Sequence, residues 1–182
     1  MQKTLNQYDA EFRQCKEVFI KKTKDYGTAW RILRPSSLTD QLFIKASRIR
    51  SLEELEEHKV EEEVDVEYIG LVNYSVMAII QLELKAEETM ELPMDRVEAL
   101  YDQYRDATRA LMIRKNHDYG EVWREMRISS ITDLILMKLL RVKQIEDNKG
   151  KTLISEGLDA NYQDIINYAI FALIKLSEQK NG

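Results

Sequence analysis

Apolar residues recur at helical spacing through most of the chain. In the segment 4–24, one helix face collects the apolar side chains Tyr8, Phe12, Cys15, Val18 and Phe19. The same periodicity predicts further helices over residues 38–57, 62–87, 94–115, 131–147 and 155–179. No stretch shows the alternation of a half-buried strand, so the fold class is predicted to be all-α.

Short segments with their own signals separate the predicted helices. Gly27 follows Asp25 and Tyr26 and should end the first helix, because glycine readily takes the positive φ found after many helix C-termini. Ser37, three residues before Asp40, matches a capping box. The second helix is therefore predicted to begin at Ser37, and the fifth to begin in the same way at Ser130.

One stretch of sequence occurs twice. Residues 25–48 and 118–141 align without a gap at an offset of 93, and 12 of the 24 pairs are identical. In the third predicted helix of each copy the offset becomes 94, so that Asn73-Tyr74 matches Asn167-Tyr168. A match of this length at a fixed period indicates a tandem duplication.

Each copy would contain three helices, too few to enclose a secure core alone. We therefore predict a six-helix bundle built from two tandem three-helix repeats, related by a pseudo-twofold axis and sharing one core. The first repeat is assigned to residues 1–90 and the second to 94–182, with Glu91-Leu92-Pro93 as the linker.

Composition narrows the function classes. The 182 residues carry a formal net charge of -5, which argues against general nucleic-acid binding. Cys15 is the only cysteine, so an intrachain disulfide is excluded. No apolar run reaches the length of a membrane span, and the N-terminus lacks the features of a signal peptide. We expect a cytoplasmic protein without membrane association; its oligomeric state, including a homodimer, stays open.

Two pairs of cations are the first candidate for chemistry. Lys45 and Arg48 are three residues apart on a predicted helix, and Lys138 and Arg141 repeat them in the second copy. A lysine and an arginine on one face suit phosphate oxygens, the arginine as a bidentate fork. The alternative is that these four residues form salt bridges to the neighbouring helix.

Acidic residues stand at matching places near the start of each third helix. Glu62 and Asp65 match Glu156 and Asp159, with three residues between the members of each pair. Such carboxylates could hold a magnesium ion that bridges phosphate oxygens. The alternative is surface charge at a helix N-terminus, which the helix dipole favours.

The copies differ at one acid. Asp164 stands where the first copy has Gly70, and its apolar neighbours predict partial burial. A buried carboxylate needs a partner. Because the second and third helices of a copy should run antiparallel, we expect Asp164 within salt-bridge range of Lys138 or Arg141 and count it with the metal candidates. The first copy would then need another partner for its cations, either Glu67 or an anion.

Two aromatic residues of the second copy, Tyr119 and Trp123, are candidates for stacking on a base. The alternative is that they pack the first helix of the copy on the second. His117 beside Asp118 is assigned no catalytic role, because the first copy has Lys24 at the position of His117. No motif for a catalytic nucleophile, a P-loop or a dinucleotide site is present.

Taken in order, the shared motifs resemble the nucleotide modification associated domain family, type one. Both copies carry the resemblance, which covers nearly the whole chain. In the second copy the matching residues are Asp118, Tyr119, Gly120, Trp123, Thr132, Asp133, Lys138, Arg141, Asp164, Asn167 and Tyr168. The family name implies a link to modified nucleotides.

The layout is also similar to the all-α nucleoside triphosphate pyrophosphohydrolases of the MazG type. Their E-x-x-D signature fits Glu62/Asp65 and Glu156/Asp159, and residues 53–57 fit E-E-x-x-E in letters but not in spacing. Together the resemblances imply magnesium-dependent hydrolysis or binding of a nucleoside phosphate. The alternative is a non-catalytic helical module that binds a nucleotide or a protein partner.

Overall fold

The computed structural model describes residues 1–55, 61–84 and 89–182, and for residues 61–63 the backbone only. Within these ranges, two short 3-10 turns, Ala29–Ile32 and Val122–Glu125, accompany the α-helices. These ranges contain no strand, so the all-α prediction is confirmed. The α-helices are α1 (Gln2–Tyr26), α2 (Pro35–Glu54), α3 (Glu61–Leu84), α4 (Met94–Tyr119), α5 (Ile128–Asp147) and α6 (Leu158–Asn181).

Four helices form the centre of the bundle. α3 packs along α6, each of them also packs on the second helix of its own copy, and α2 packs on α5. α1 and α4 lie across the outside and contact both α3 and α6. The described part of the chain therefore shows the predicted six-helix bundle with a core shared between the copies, three helices on either side of the linker.

The ends of α1 and α4 follow the prediction for the glycines. Gly27 has φ 61° and Gly120 has φ 71°, a region that side chains with a Cβ rarely occupy. The Gly27 amide donates to the Thr23 carbonyl at 2.8 Å, which closes the last turn of α1. A 3-10 turn follows each glycine and carries Trp30 in the first copy and Trp123 in the second.

The predicted capping boxes are wrong. α2 already begins at Pro35, and Ser37 lies in its first turn, where the Ser37 amide donates to the Arg34 carbonyl at 2.9 Å. In the second copy α5 begins at Ile128, two residues before Ser130, and neither helix has a side-chain cap hydrogen bond. Proline suits the first helical position, because its φ is preset and an amide there needs no helical partner.

Buried hydrogen bonds join the two copies. The Tyr8 hydroxyl on α1 donates to Asn167 Oδ1 on α6 at 2.7 Å, and the Tyr101 hydroxyl on α4 donates to Asn73 Oδ1 on α3 at 2.8 Å. Tyr101 stands 93 residues after Tyr8 and Asn167 stands 94 residues after Asn73, so the two bonds are equivalent under the repeat. The first helix of each copy is thus bonded to the third helix of the other, as a pseudo-twofold relation requires.

A second reciprocal set lies between the α2–α3 and α5–α6 pairs. Thr39 and Tyr162 bring their hydroxyls to 2.6 Å, and the equivalent Thr132 and Tyr68 bring theirs to 2.7 Å. Each threonine pairs with a tyrosine of the other copy. Burial raises the pKa of both tyrosines above their usual range.

A glutamate completes each of these clusters. Glu53 accepts a hydrogen bond from Thr132 at 2.7 Å, and Glu146, the equivalent acid of the second copy, interacts with Thr39, which acts to lower its pKa. Partial burial raises the pKa of both carboxyl groups, despite the hydroxyl donors, which oppose the shift. These polar clusters specify how the copies face each other.

No helix in the described ranges combines the length and the apolar character needed to cross a membrane.

Candidate functional site

The most buried acid among the predicted site residues is Asp164 on α6, which is 5% exposed. One carboxylate oxygen accepts from Lys138 of α5 at 2.7 Å, and the other accepts from Lys115 of α4 at 2.5 Å. The predicted ion pair between Asp164 and Lys138 is confirmed. Lys115 was missed, although it stands 93 residues after Lys22 and so keeps the repeat offset.

Arg141 lies on α5, one turn beyond Lys138, and its side chain is exposed. It makes no hydrogen bond or ion pair with any residue of the described ranges. It does act on Tyr168 of α6: burial and Asp164 raise the pKa of that hydroxyl, whereas Lys115 and Arg141 act in the opposite direction. We call these three residues the cation cluster: Lys115 and Lys138, which pair with Asp164, and Arg141, one turn beyond Lys138.

In the first copy, a different acid pairs with the equivalent cations. Glu67 on α3 is 3.1 Å from Arg48 and 3.7 Å from Lys45. The stem of Lys45 lies over Gly70, where a Cβ would come within 3.1 to 3.3 Å of its Cδ, Cε and Nζ.

Between the copies the acid has moved by one helical turn. The second copy has Asn161 at the position of Glu67, and Asp164 at the position of Gly70. Each copy therefore keeps one buried acid against its lysine. Of the two partners expected for the cations of the first copy, Glu67 or an anion, the structure shows Glu67.

The metal candidates of the second copy are not drawn together. Glu156 is exposed in the segment before α6, Asp159 is exposed in the first turn of α6, and Asp164 is buried against two lysines. Within the described residues, no group of three or more His, Cys, Asp or Glu side chains could hold a metal ion. The side chain of Glu62, the matching acid of the first copy, lies outside the described residues, as does His58.

The two stacking candidates have different surroundings. Trp123 is 4% exposed, stacks on Phe171 at 4.3 Å between ring centroids, and lies under the Arg124 guanidinium at 4.4 Å. It is a packing residue, and its ring packs on α6, the third helix of the copy, rather than joining the first helix to the second as the alternative had it. Tyr119 is 74% exposed at the end of α4, one turn after Lys115, and is accessible to a ligand.

Comparison with known families agrees with the duplication. A family model described as nucleotide modification associated domain 1 matches residues 22–82 and again residues 115–176. The chain belongs to this family. The second matched region contains the whole cation cluster, and the first contains Lys45, Arg48 and Glu67. The predicted family is confirmed, with two tandem copies.

No curated protein matches the chain, and no solved structure matches it. The similarity to MazG-type enzymes thus finds no support in the comparisons and stays a prediction.

Proposed function

We propose that this family member binds a nucleoside phosphate at the cation cluster of its second copy. The observation that carries the proposal is the excess of positive charge in the cation cluster. Lys115 of α4 and Lys138 of α5 both pair with the single carboxylate of Asp164, and Arg141, one turn beyond Lys138, is exposed without an ion pair in the described ranges. An excess of fixed positive charge beside an exposed guanidinium favours an anion with several oxygens.

Each residue has a distinct part in this proposal. Arg141 binds two phosphate oxygens as a fork, while Lys115 and Lys138 supply point charges that Asp164 holds in place. Tyr119 lies four residues after Lys115 on the same face of α4 and offers a ring on which a base can stack. The second copy supplies all of these residues, so the proposed site does not depend on a homodimer.

In this proposal, magnesium binds to the protein only together with the phosphates of the nucleotide. Mg²⁺ commonly binds through one or two carboxylates plus substrate phosphates rather than in an all-protein cage. The exposed carboxylates of Glu156 and Asp159 are the candidates for that contact, because Asp164 is already paired with two lysines. We assign the protein to the cytoplasm, where nucleoside phosphates are abundant.

The second candidate function, beside magnesium-dependent hydrolysis of the bound nucleotide, is a binding module without catalysis. It is favoured by the lack of a metal-holding group of three or more side chains in the described part of the chain. Under this alternative the protein binds a nucleotide and releases it unchanged. Chromatography of each nucleotide after incubation with the protein and magnesium decides between the two candidates, because hydrolysis leaves a shortened product.

The binding proposal is tested by thermal unfolding with each deoxynucleoside triphosphate, with and without magnesium. A ligand at about a hundred times its Kd stabilises the folded state by about 2.7 kcal/mol. For a protein of this size that corresponds to a rise in Tm of about 5 to 10 °C. We expect the parent protein to show such a rise with at least one nucleotide.

Arg141→Ala should remove most of the nucleotide-dependent rise. Arg48→Ala is the matched control, because it removes the equivalent arginine from the first copy, and it should leave most of the rise intact. Equal losses in the two variants would contradict the assignment to the second copy. No rise with any nucleotide in the parent protein would contradict the proposal itself.

A further inference from the structure

Two large apolar side chains stand fully in water on the segment that joins α5 to α6. Leu153 and Ile154 lie at the middle of residues 148–157, and neither packs against the protein. Other surface apolar residues, such as Ile44 and Leu140, are at least partly covered by their helices. Complete exposure of two adjacent aliphatic side chains is unfavourable in water. Burial of Leu153 and Ile154 against another molecule or another part of the chain would therefore lower the free energy.

The segment is built as a small unit with glycines at both ends. The Thr152 hydroxyl donates to the Ser155 carbonyl at 2.7 Å, which closes a turn around Leu153 and Ile154. Before the turn, Gly150 has φ 79° and nothing within 4 Å of its Cβ position; after it, Gly157 precedes α6. Glycines at the two ends of a compact turn can absorb the backbone rotations that move the turn as one piece.

The segment begins and ends close to the cation cluster. Arg141 lies six residues before the end of α5, and Asp164 lies six residues after the start of α6. At a rise of about 1.5 Å per residue, both are about 9 Å along their helices from the segment. Rotation at Gly150 and Gly157 can therefore swing the closed turn over the cluster, in which Arg141 and Asp164 lie less than two helical turns from the segment.

We propose that Leu153 and Ile154 cover the base of the nucleotide whose phosphates bind the cation cluster. This rests on the function proposed above and adds the ligand class: a nucleoside phosphate whose base contributes to binding, rather than a bare phosphate chain. Closure of the segment buries the two side chains against the base and brings Lys151 toward the phosphates. The apolar contact then discriminates between ligands that share the same phosphate chain.

The test compares the deoxynucleoside triphosphates with inorganic tripolyphosphate, which has the phosphate chain but no base. Affinities are measured by isothermal titration calorimetry on the full chain. The double variant Leu153→Ser, Ile154→Ser should bind the nucleotides about tenfold more weakly and tripolyphosphate as tightly as the parent protein does. The control Ile32→Ser removes an exposed apolar side chain from the first copy and should change neither affinity.

Hydrogen exchange supplies an independent measurement. The backbone amides of residues 150–157 should exchange more slowly in the presence of a nucleotide, and at the original rate in the presence of tripolyphosphate. Both variants replace exposed side chains and should keep the parent Tm, which circular dichroism verifies.

Three outcomes would overturn the inference. They are unchanged nucleotide affinity in the double variant, an equal loss of affinity for tripolyphosphate, or unchanged exchange of residues 150–157 with a nucleotide. If Arg141→Ala still weakens nucleotide binding in these cases, the proposed function stands and only the role of Leu153 and Ile154 fails. If the parent protein binds no nucleotide, both proposals fail.

Discussion

Replacing Asp164 by Asn removes the charge that holds Lys115 and Lys138 while keeping the shape of the side chain. The side chain of Lys138 is 12% exposed and that of Lys115 is 43% exposed. Lys115 can therefore turn toward water, whereas Lys138 keeps an uncompensated charge near the interior. Removing one partner of a buried ion pair costs about 3 to 5 kcal/mol, and we expect the lower end of that range here.

The cost should appear directly in thermal unfolding. About 3 kcal/mol corresponds to a fall in Tm of about 6 to 12 °C for a protein of this size. Circular dichroism at the helical minimum measures it at neutral pH. Glu67→Gln is the matched control: its partners Arg48 and Lys45 are 54% and 25% exposed, against 12% for Lys138, so the loss there should be about 1 kcal/mol. A smaller fall for Asp164→Asn than for Glu67→Gln would refute the reasoning from burial.

A rescue variant tests whether the acid can move by one turn. In the Asp164→Asn background, Asn161→Glu places a carboxylate where the first copy has Glu67. Since Glu67 lies 3.7 Å from Lys45, the new acid should reach Lys138 and restore part of the lost Tm. No recovery, with helicity unchanged, would show that the two copies are not equivalent at this turn.

Three further predictions concern the fold. Tyr8→Phe should lower the free energy of unfolding by about 1 kcal/mol, because Asn167 loses its buried donor; denaturant unfolding measures this. Ser130→Ala should be neutral or slightly stabilising in the same assay, since Ser130 lies inside α5 and alanine is the better helix former; a loss of about 1 kcal/mol would restore the rejected cap. The third concerns Glu53, whose raised pKa means that the folded state retains a proton that the unfolded chain releases, so its contribution to stability falls as pH rises. The Tm of Glu53→Gln relative to the parent should therefore increase between about pH 4 and about pH 7, whereas the exposed control Glu54→Gln should show no such trend.

The helices were predictable because their signals are local. Apolar periodicity located all six, and the ends at Gly27 and Gly120 followed from the backbone freedom of glycine. The sequence-based prediction placed the starts of α2 and α5 two residues too late. Ser37 and Asp40 have the letters of a capping box, but the letters do not exclude an earlier start, and Pro35 begins the helix first.

One part of the candidate site was predictable: the pair between Lys138 and Asp164, whose positions depend only on two consecutive antiparallel helices. Similar distances along α5 and α6 from their connection brought Lys138 to Asp164. Lys115 could not be placed, because its position depends on how α4 crosses α6. The burial of Trp123 depends in the same way on Phe171, 48 residues further along the chain.

The sequence by itself determined that this protein is a duplicated all-α chain of the family to which it belongs, because periodicity and repetition are properties of neighbouring residues. Only the tertiary structure decided how the copies use each other. Tyr8 reaches Asn167 and Tyr101 reaches Asn73 because each first helix crosses onto the third helix of the other copy. No local signal encodes that crossing, since it depends on burying the apolar faces of all six helices together.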